Sequence, residues 1–174
     1  PPPSSASTAL AQDHTLPTHQ AGSALVFAGL QTRMLYAAVS DRTFDIDFTK
    51  RVSERLKEAL SEAKSNIDRG SSLLPEAKMK HEDAYLKLRE AVVQAERQLA
   101  SFNTILERET ASMLSDDEEV GEEAPVTDWD KIRLASAFLH ADVASAQAKH
   151  AALTKTVRLA PLRAVRRATG ERPE

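Results

Sequence analysis

The histidines are the side chains of this sequence best suited to bind a metal ion or to move a proton at neutral pH. There are five of them and no cysteine, and His14 and His19 lie in a Pro/Ser/Thr-rich stretch. His140 and His150 are ten residues apart, which is close to three helical turns and too far to hold one ion together. His81 stands in "HED", whose side chains point in different directions on a helix. We therefore expect no metal site and no cofactor.

Sequence patterns of known catalytic centres are absent as well. The chain contains no HExxH, Walker loop, GxGxxG, GxSxG or EF-hand spacing, and only five glycines. Without cysteine there is no disulfide framework, thiolate zinc site or cysteine nucleophile. We therefore expect a protein that is not an enzyme, and an enzyme or metal-binding bundle is the least favoured hypothesis.

Charge is distributed very unevenly along the chain. The net charge is −3, but residues 115–130 carry eight acidic groups and no basic one, whereas residues 131–174 carry nine basic and three acidic groups. The acidic run is interpreted as a solvated linker or as a segment that pairs with a basic surface, either the chain's own or a partner's. The candidate residues for such pairing are Asp116, Asp117, Glu118 and Glu119 on one side and Arg163, Arg166 and Arg167 on the other.

Three further features of this C-terminal third bear on partners. Ser115 precedes the acidic residues and resembles a site for an acidophilic kinase, so it is a candidate phosphosite. The basic tail has no aromatic residue for base stacking, which makes nucleic acid unlikely and favours a protein partner, with peripheral membrane contact left open. Trp129 is interpreted either as a residue that caps a helix start or as an interface anchor.

The elements that position these residues are predicted to be helices, because the middle of the chain consists mainly of Ala, Leu, Glu, Lys, Arg and Gln. A first, short helix is predicted over 21–39, and Val26, Leu30, Met34 and Ala37 can share one of its faces. Its apolar stretch is too short for a membrane span and carries polar residues in its middle. We expect this helix to be buried or to face a partner.

Two longer helices follow. One is predicted over 44–69 and ends at Gly70, which is interpreted as a C′ stop. The next is predicted over 75–114, with Pro75 in its first turn. Its apolar residues recur at alternating three- and four-residue steps, as in a coiled coil. The residues of this seam are Tyr85, Leu88, Val92, Ala95, Leu99, Phe102 and Leu106, and all but Ala95 are candidate partner-binding residues.

The predicted organisation comprises five segments. They are an extended Pro/Ser/Thr-rich tail (1–20), a helical hairpin with a short leading helix (21–114), an acidic linker (115–126), an Ala-rich helix (127–160) with Thr127 as its N-cap, and a basic tail (161–174). We predict an all-α fold, either an elongated helical hairpin or a three- to four-helix antiparallel bundle with coiled-coil character and extended termini. The pattern does not decide whether 75–114 pairs within the chain or with another chain.

No motif identifies a family, but the chain resembles small helical accessory subunits of mitochondrial energy-converting complexes in style. The resemblance consists of long helices, tails, the lack of a catalytic motif and a start without Met, which predicts a processed product or part of a longer chain. It implies a non-catalytic scaffold subunit of a respiratory-chain or ATP-synthase type assembly, located in mitochondria. The alternative is an autonomous helical binding module, secreted or effector-type, acting on one protein partner. A cytoplasmic location also fits the composition.

Overall fold

Four long helices make up the part of the chain that the structure describes. The computed structural model describes residues 13–41, 44–114 and 127–157, and these ranges contain no β-strand. The helices are α1 (Thr15–Ser40), α2 (Ile46–Ser72), α3 (Glu82–Leu114) and α4 (Trp129–Val157). α1 and α3 each pack against α2 and α4, and neighbouring helices run antiparallel. The predicted all-α class and the antiparallel bundle are therefore confirmed, whereas residues 1–12 and 158–174 of the predicted extended termini lie outside the described residues.

The start of α1 lies earlier than the sequence predicts. The helix begins at Thr15, whose backbone N–H and hydroxyl both donate to the Asp13 carboxylate at 3.1 Å. Pro17 falls within the first turn, where no intrahelical N–H bond is required. The boundary at residue 20 is wrong because the Thr18 hydroxyl packs against Tyr85 of α3, and this tertiary contact extends the helix through a stretch that lacks helical periodicity.

α2 is a strongly amphipathic helix with a well-defined beginning. The Asp45 carboxylate accepts hydrogen bonds from the backbone N–H groups of Asp47 and Phe48 at 2.9 and 3.1 Å, which makes it an N-cap. The helix continues to Ser72, so Gly70 lies inside its last turn and is not the predicted C′ stop. A Cβ atom at Gly70 would lie 2.7 Å from the Thr18 hydroxyl, so glycine is needed here for the close approach of α1.

The helix predicted over 75–114 is divided in two. A 3-10 helix (Glu76–His81) follows Pro75 and leads into α3 at Glu82. None of its six residues is buried, so no apolar face holds this stretch in a regular α-helix. Beyond it the predicted seam is regular, and all seven of its residues lie in the core.

α4 begins at Trp129, and its N-cap is Asp128 rather than the predicted Thr127. The Asp128 carboxylate accepts a hydrogen bond from the Lys131 N–H at 3.1 Å, which is the usual geometry of a capping side chain. The backbone N–H of Asp128 in turn donates to the Glu109 carboxylate of α3 at 3.2 Å. The start of α4 is therefore tied to α3 directly by side-chain contacts.

One hydrophobic core runs along the bundle, and every helix contributes to it. Polar contacts join α2 to α3 beside this core: Ser53 donates to Asn103 at 2.6 Å, and Lys64 pairs with Glu96 at 2.9 Å. α4 contributes six buried apolar residues to the core, namely Ile132, Leu139, Val143, Ala146, Leu153 and Val157. The long helix thus packs within its own chain, which the sequence pattern left undecided.

Candidate interaction surfaces

The predicted partner-binding residues of α3 are occupied within the chain itself. The six side chains are at most 3% exposed and lie in the bundle core; they are Tyr85, Leu88, Val92, Leu99, Phe102 and Leu106. A partner could reach them only if the bundle opened, which would expose the core. Their role in binding a partner stays a prediction, and the accessible surfaces of the molecule lie elsewhere.

Trp129 lies at the end of the bundle where α1 finishes and α4 begins. Its ring meets that of Phe44 edge-on, with centroids 4.9 Å apart and an interplanar angle of 69°. It is half-buried and packs against the core. Together with Val39, Asp41 and Arg133 it borders an open cleft of about 270 Å³. These contacts fit a residue that caps the helix start, while its role as an interface anchor stays a prediction.

The remaining predicted site residues lie outside the described part of the chain. They are the candidate phosphosite and the two groups of opposite charge: Ser115, Asp116, Asp117, Glu118, Glu119, Arg163, Arg166 and Arg167. Whether the acidic segment contacts the basic tail or a partner therefore stays a prediction.

The outer face of α1 is the most apolar exposed surface among the described helices. Five large apolar side chains along it are between 37% and 61% exposed: Leu16, Val26, Phe27, Leu30 and Met34. Arg33 is the only Asp, Glu, Lys or Arg between residues 15 and 40. The sequence correctly places Val26, Leu30 and Met34 on one face, and the structure shows that this face points away from the core.

The exposed residues of α1 follow a regular pattern, which we call the outer seam. Its positions are separated by steps of four and three residues, and all seven are exposed: Leu16, Gln20, Ser23, Phe27, Leu30, Met34 and Ala37. A second set with steps of three and four residues faces the bundle and is entirely buried: Thr18, Ala21, Leu25, Ala28, Thr32, Leu35 and Val39. Alternating three- and four-residue spacing is the pattern by which helices pack in coiled coils. α1 therefore carries two helix-packing seams, of which the described chain covers one.

The other described helices expose fewer large apolar residues. α4 exposes Leu134 and Phe138, which lie one turn apart, and α3 exposes Leu86, which is 53% accessible. Single exposed apolar residues are normal on protein surfaces, whereas a continuous apolar patch often marks a binding site. The outer seam of α1 is a continuous apolar patch of this kind.

Polar side chains of α4 form hydrogen bonds to the edge of α1 that faces α4. The Gln147 amide donates to the Leu25 carbonyl at 2.8 Å, and His150 Nε2 donates to the Thr18 carbonyl at the same distance. Thr32 donates to the Gly29 carbonyl, so it accepts from His140 Nδ1 at 2.8 Å. These contacts assign the two histidines structural positions, which sequence reasoning missed because their partners lie more than 100 residues away.

Two glycines of α1 make these contacts possible. A Cβ atom at Gly22 would lie 2.3 Å from His150, and one at Gly29 would lie 2.4 Å from the Gln147 amide. Gly22 and Gly29 are seven residues apart, which places them two turns apart on one face of the helix. That spacing is the sequence signal from which a close helix approach could have been predicted.

An open cleft of about 450 Å³ lies between the end of α2 and the start of α3. Its Asp68 and Arg89 side chains pair with each other at 2.8 Å. Tyr85 borders the cleft, and burial raises the pKa of its hydroxyl, so the phenol stays protonated at neutral pH. Its hydroxyl also hydrogen-bonds to Thr18 at 3.0 Å. Asp68, Arg89 and Tyr85 are therefore engaged in contacts that hold the helices together.

Searches over the described ranges give two negative findings. No three histidine, aspartate or glutamate side chains lie close enough together there to hold a metal ion. None of the described helices is both long and apolar enough to span a membrane. Comparison of the chain with protein-family models, with curated proteins and with solved structures gives no significant match.

Proposed function

We propose that this protein is a non-catalytic scaffold module that binds an α-helix of a protein partner through the outer seam of α1. The observation that carries the proposal is the exposed row of apolar side chains with coiled-coil spacing. A helix facing water on its outer side normally carries charged or polar residues there. On α1 this position is held by side chains such as Phe27 and Leu30, whose exposure to water is unfavourable unless a partner covers them.

The rest of the molecule supports a binding role of this kind. The bundle covers its own core, so the module can present the seam on a rigid support and does not need the partner to build its interior. Both a subunit of a larger assembly and an autonomous binding module would have these properties. A place in a mitochondrial complex remains a proposal that rests on the resemblance in style described above.

The proposal is tested by capture experiments with a variant of the outer seam. Phe27→Lys combined with Leu30→Lys replaces two half-exposed apolar side chains by charged ones, and Leu86→Lys is a matched control on α3. Lysine is tolerated at exposed helical positions, so both variants should remain folded. Proteins bound by the tagged chain in native extract should be lost with the seam variant and retained with the control, as read by mass spectrometry.

Two outcomes of that experiment would contradict the proposal. One is that the seam variant, shown to be folded by circular dichroism, retains every protein captured by the unchanged chain. The other is that Leu86→Lys causes the same losses, which would mean that α3 or the general surface, and not α1, carries the binding.

A further inference from the structure

We propose that the helix bound by the outer seam of α1 is α1 of a second copy of this chain, packed antiparallel about a two-fold axis that passes between Phe27 and Leu30. This inference rests on the proposed function, because it names the occupant of the same surface. It goes further by fixing the orientation, the register and the residues that meet.

The sizes of the seam residues suit an antiparallel pair. In that arrangement Phe27 of one copy faces Leu30 of the other at the centre, and Met34 faces Ser23 on either side of it. Large side chains are thus matched with small ones away from the axis, as close packing requires. A parallel pair would place Phe27 on Phe27 and Ser23 on Ser23, which crowds one layer and leaves a gap in the next.

The charge of the seam allows two copies to approach each other. α1 carries no acidic residue, and its single arginine, Arg33, lies beside the seam. In the antiparallel pair the two Arg33 residues would be separated by about 14 Å along the helix axis. That distance exceeds the Debye length of about 8 Å at physiological ionic strength, so their repulsion is largely screened. A partner with a strongly charged seam would gain little here, because α1 offers few groups to pair with it.

The area of the seam predicts that the dimer is weak. Five large apolar side chains lie on the outer face of α1 and are about half exposed: Leu16, Val26, Phe27, Leu30 and Met34. At about 50 Å² of remaining apolar surface each, they offer roughly 250 Å² per copy. One side of a standard interface buries roughly 450 Å² of apolar surface. We therefore expect an association that depends on protein concentration rather than a permanent dimer.

A lipid surface is a less suitable occupant for the same face. Helices that lie in a membrane interface usually carry several Lys or Arg residues beside their apolar face. Only Arg33 is available on α1. The composition of the seam therefore favours another helix over a headgroup region.

Sedimentation velocity tests whether the seam is used for self-association. We expect the sedimentation coefficient of the unchanged chain to rise from monomer towards dimer between about 1 μM and about 1 mM. The variant with Phe27→Lys and Leu30→Lys should remain a monomer throughout, and Leu86→Lys should behave like the unchanged chain. A chain that stays monomeric over this range, or a seam variant that still dimerises while folded, would overturn the inference.

Cysteine cross-linking tests the orientation, and the absence of native cysteine makes the experiment clean. Chains with Ser23→Cys are mixed with chains carrying Met34→Cys and oxidised. In the antiparallel register position 23 lies opposite position 34, so the mixture should form heterodimers through a disulfide. Ser23→Cys alone should not cross-link, since its two copies would be about 17 Å apart along the axis. Cross-linking of Ser23→Cys with itself, or none in the mixture, would overturn the proposed register.

Two further measurements separate this inference from the proposed function. If the chain is monomeric but captures another protein only when the seam is intact, the scaffold proposal stands and self-pairing is wrong. Flotation with phosphatidylcholine–phosphatidylserine vesicles covers the lipid alternative. Seam-dependent binding to vesicles by a monomeric chain would overturn both proposals, because the occupant would then be a membrane surface.

Discussion

α1 and α2 are neighbouring antiparallel helices of nearly equal length whose inner faces are equally well buried, yet their outer faces have opposite compositions. The exposed residues of α2 comprise ten charged residues and three serines: Asp47, Lys50, Arg51, Glu54, Arg55, Lys57, Glu58, Ser61, Glu62, Ser65, Asp68, Arg69 and Ser72. The exposed residues of α1 comprise seven apolar residues, three uncharged polar ones and one arginine: Leu16, Gln20, Ser23, Val26, Phe27, Leu30, Arg33, Met34, Tyr36, Ala37 and Ser40.

The fold accounts for the buried inner faces of the two helices, but it does not account for the apolar outer face of α1. Both helices bury a seam in the same core, and that seam is sufficient to hold each of them in the bundle. The outer face of α2 is charged and polar, as expected of a helix surface in contact with water, whereas the outer face of α1 is mostly apolar. The bundle gives no reason for exposed Phe27 and Leu30, and this supports the proposal that a partner covers them.

The largest expected effects test whether the two inner faces are indeed equivalent. Leu35 of α1 and Leu56 of α2 are both fully buried. Truncation of either one to alanine should lower the free energy of unfolding by about 2–5 kcal/mol, because it removes buried methyl groups and leaves a cavity. Urea denaturation followed by circular dichroism measures both variants.

The inner faces of α1 and α2 would not be equivalent if Leu35→Ala lowered the free energy of unfolding by less than about 1 kcal/mol while Leu56→Ala had its full effect. α1 would then be a loosely attached element, and the exposure of its outer face would reflect its own mobility. A change of Phe27 to alanine serves as the outer-face control, and it should affect stability much less than Leu35→Ala does, since about half of the ring is already in water.

A smaller effect concerns the edge of α1 that packs against α4. Gly29→Ala would bring a methyl group to within 2.4 Å of the Gln147 amide, which would have to move away from the Leu25 carbonyl that it contacts at 2.8 Å. Loss of this hydrogen bond and the crowding should offset the gain of about 1 kcal/mol that alanine gives over glycine in a helix. The single substitution should therefore be close to neutral or destabilising.

Gln147→Ala provides the matched background for this test. In the absence of the amide side chain, Gly29→Ala should stabilise the protein by about 0.5–1 kcal/mol, because only the helix propensity remains. The double-mutant cycle should therefore give a coupling of about 1 kcal/mol between the two sites. Additive effects would show that the close approach of α4 to α1 does not depend on Gly29.

Much of the bundle follows from periodicity in the sequence. The seam of α3 is predicted correctly because this helix has one apolar side, and a residue such as Leu88 can only face the core. α1 is different because it is apolar on two sides, so periodicity identifies two seams and does not say which one is buried. The seam with the larger side chains, which includes Phe27 and Leu30, turns out to be the exposed one.

The physical reason is that the inner seam of α1 is buried through close approach rather than through large side chains. Thr18 and Thr32 lie in it, and their hydroxyl groups find partners on α3 and α4. Such hydrogen bonds join residues 67 and 108 positions apart, which no local pattern reveals. The same limit explains why the predicted binding residues lay on α3, because the strongest seam in the sequence is the one that the chain uses for its own core.

The smallest expected effect concerns the ways in which the two helices begin. α2 starts with an exposed carboxylate, Asp45, that satisfies two backbone N–H groups, whereas α1 starts beside His14, which is only 3% exposed. Burial lowers the pKa of His14 below its usual 6.5, and Lys78 acts in the same direction, while Asp13 at 2.7 Å opposes them. The unfolded chain therefore binds a proton at this residue at a higher pH than the folded chain does.

The sign of the pH dependence follows from that difference. His14 imposes no penalty well above pH 6.5, and a destabilising penalty grows progressively as the pH falls below that value towards the lower pKa of the folded state. The unfolding midpoint in urea should therefore drop between about pH 7.5 and about pH 5.5 by more in the unchanged chain than in His14→Asn. His81→Asn is the matched control, because it removes a histidine that lies outside the core. If the unfolding midpoint of His14→Asn drops as much as that of the unchanged chain, protonation of His14 does not weaken the packing at the start of α1. α1 and α2 would then be alike at their beginnings as well as along their inner faces.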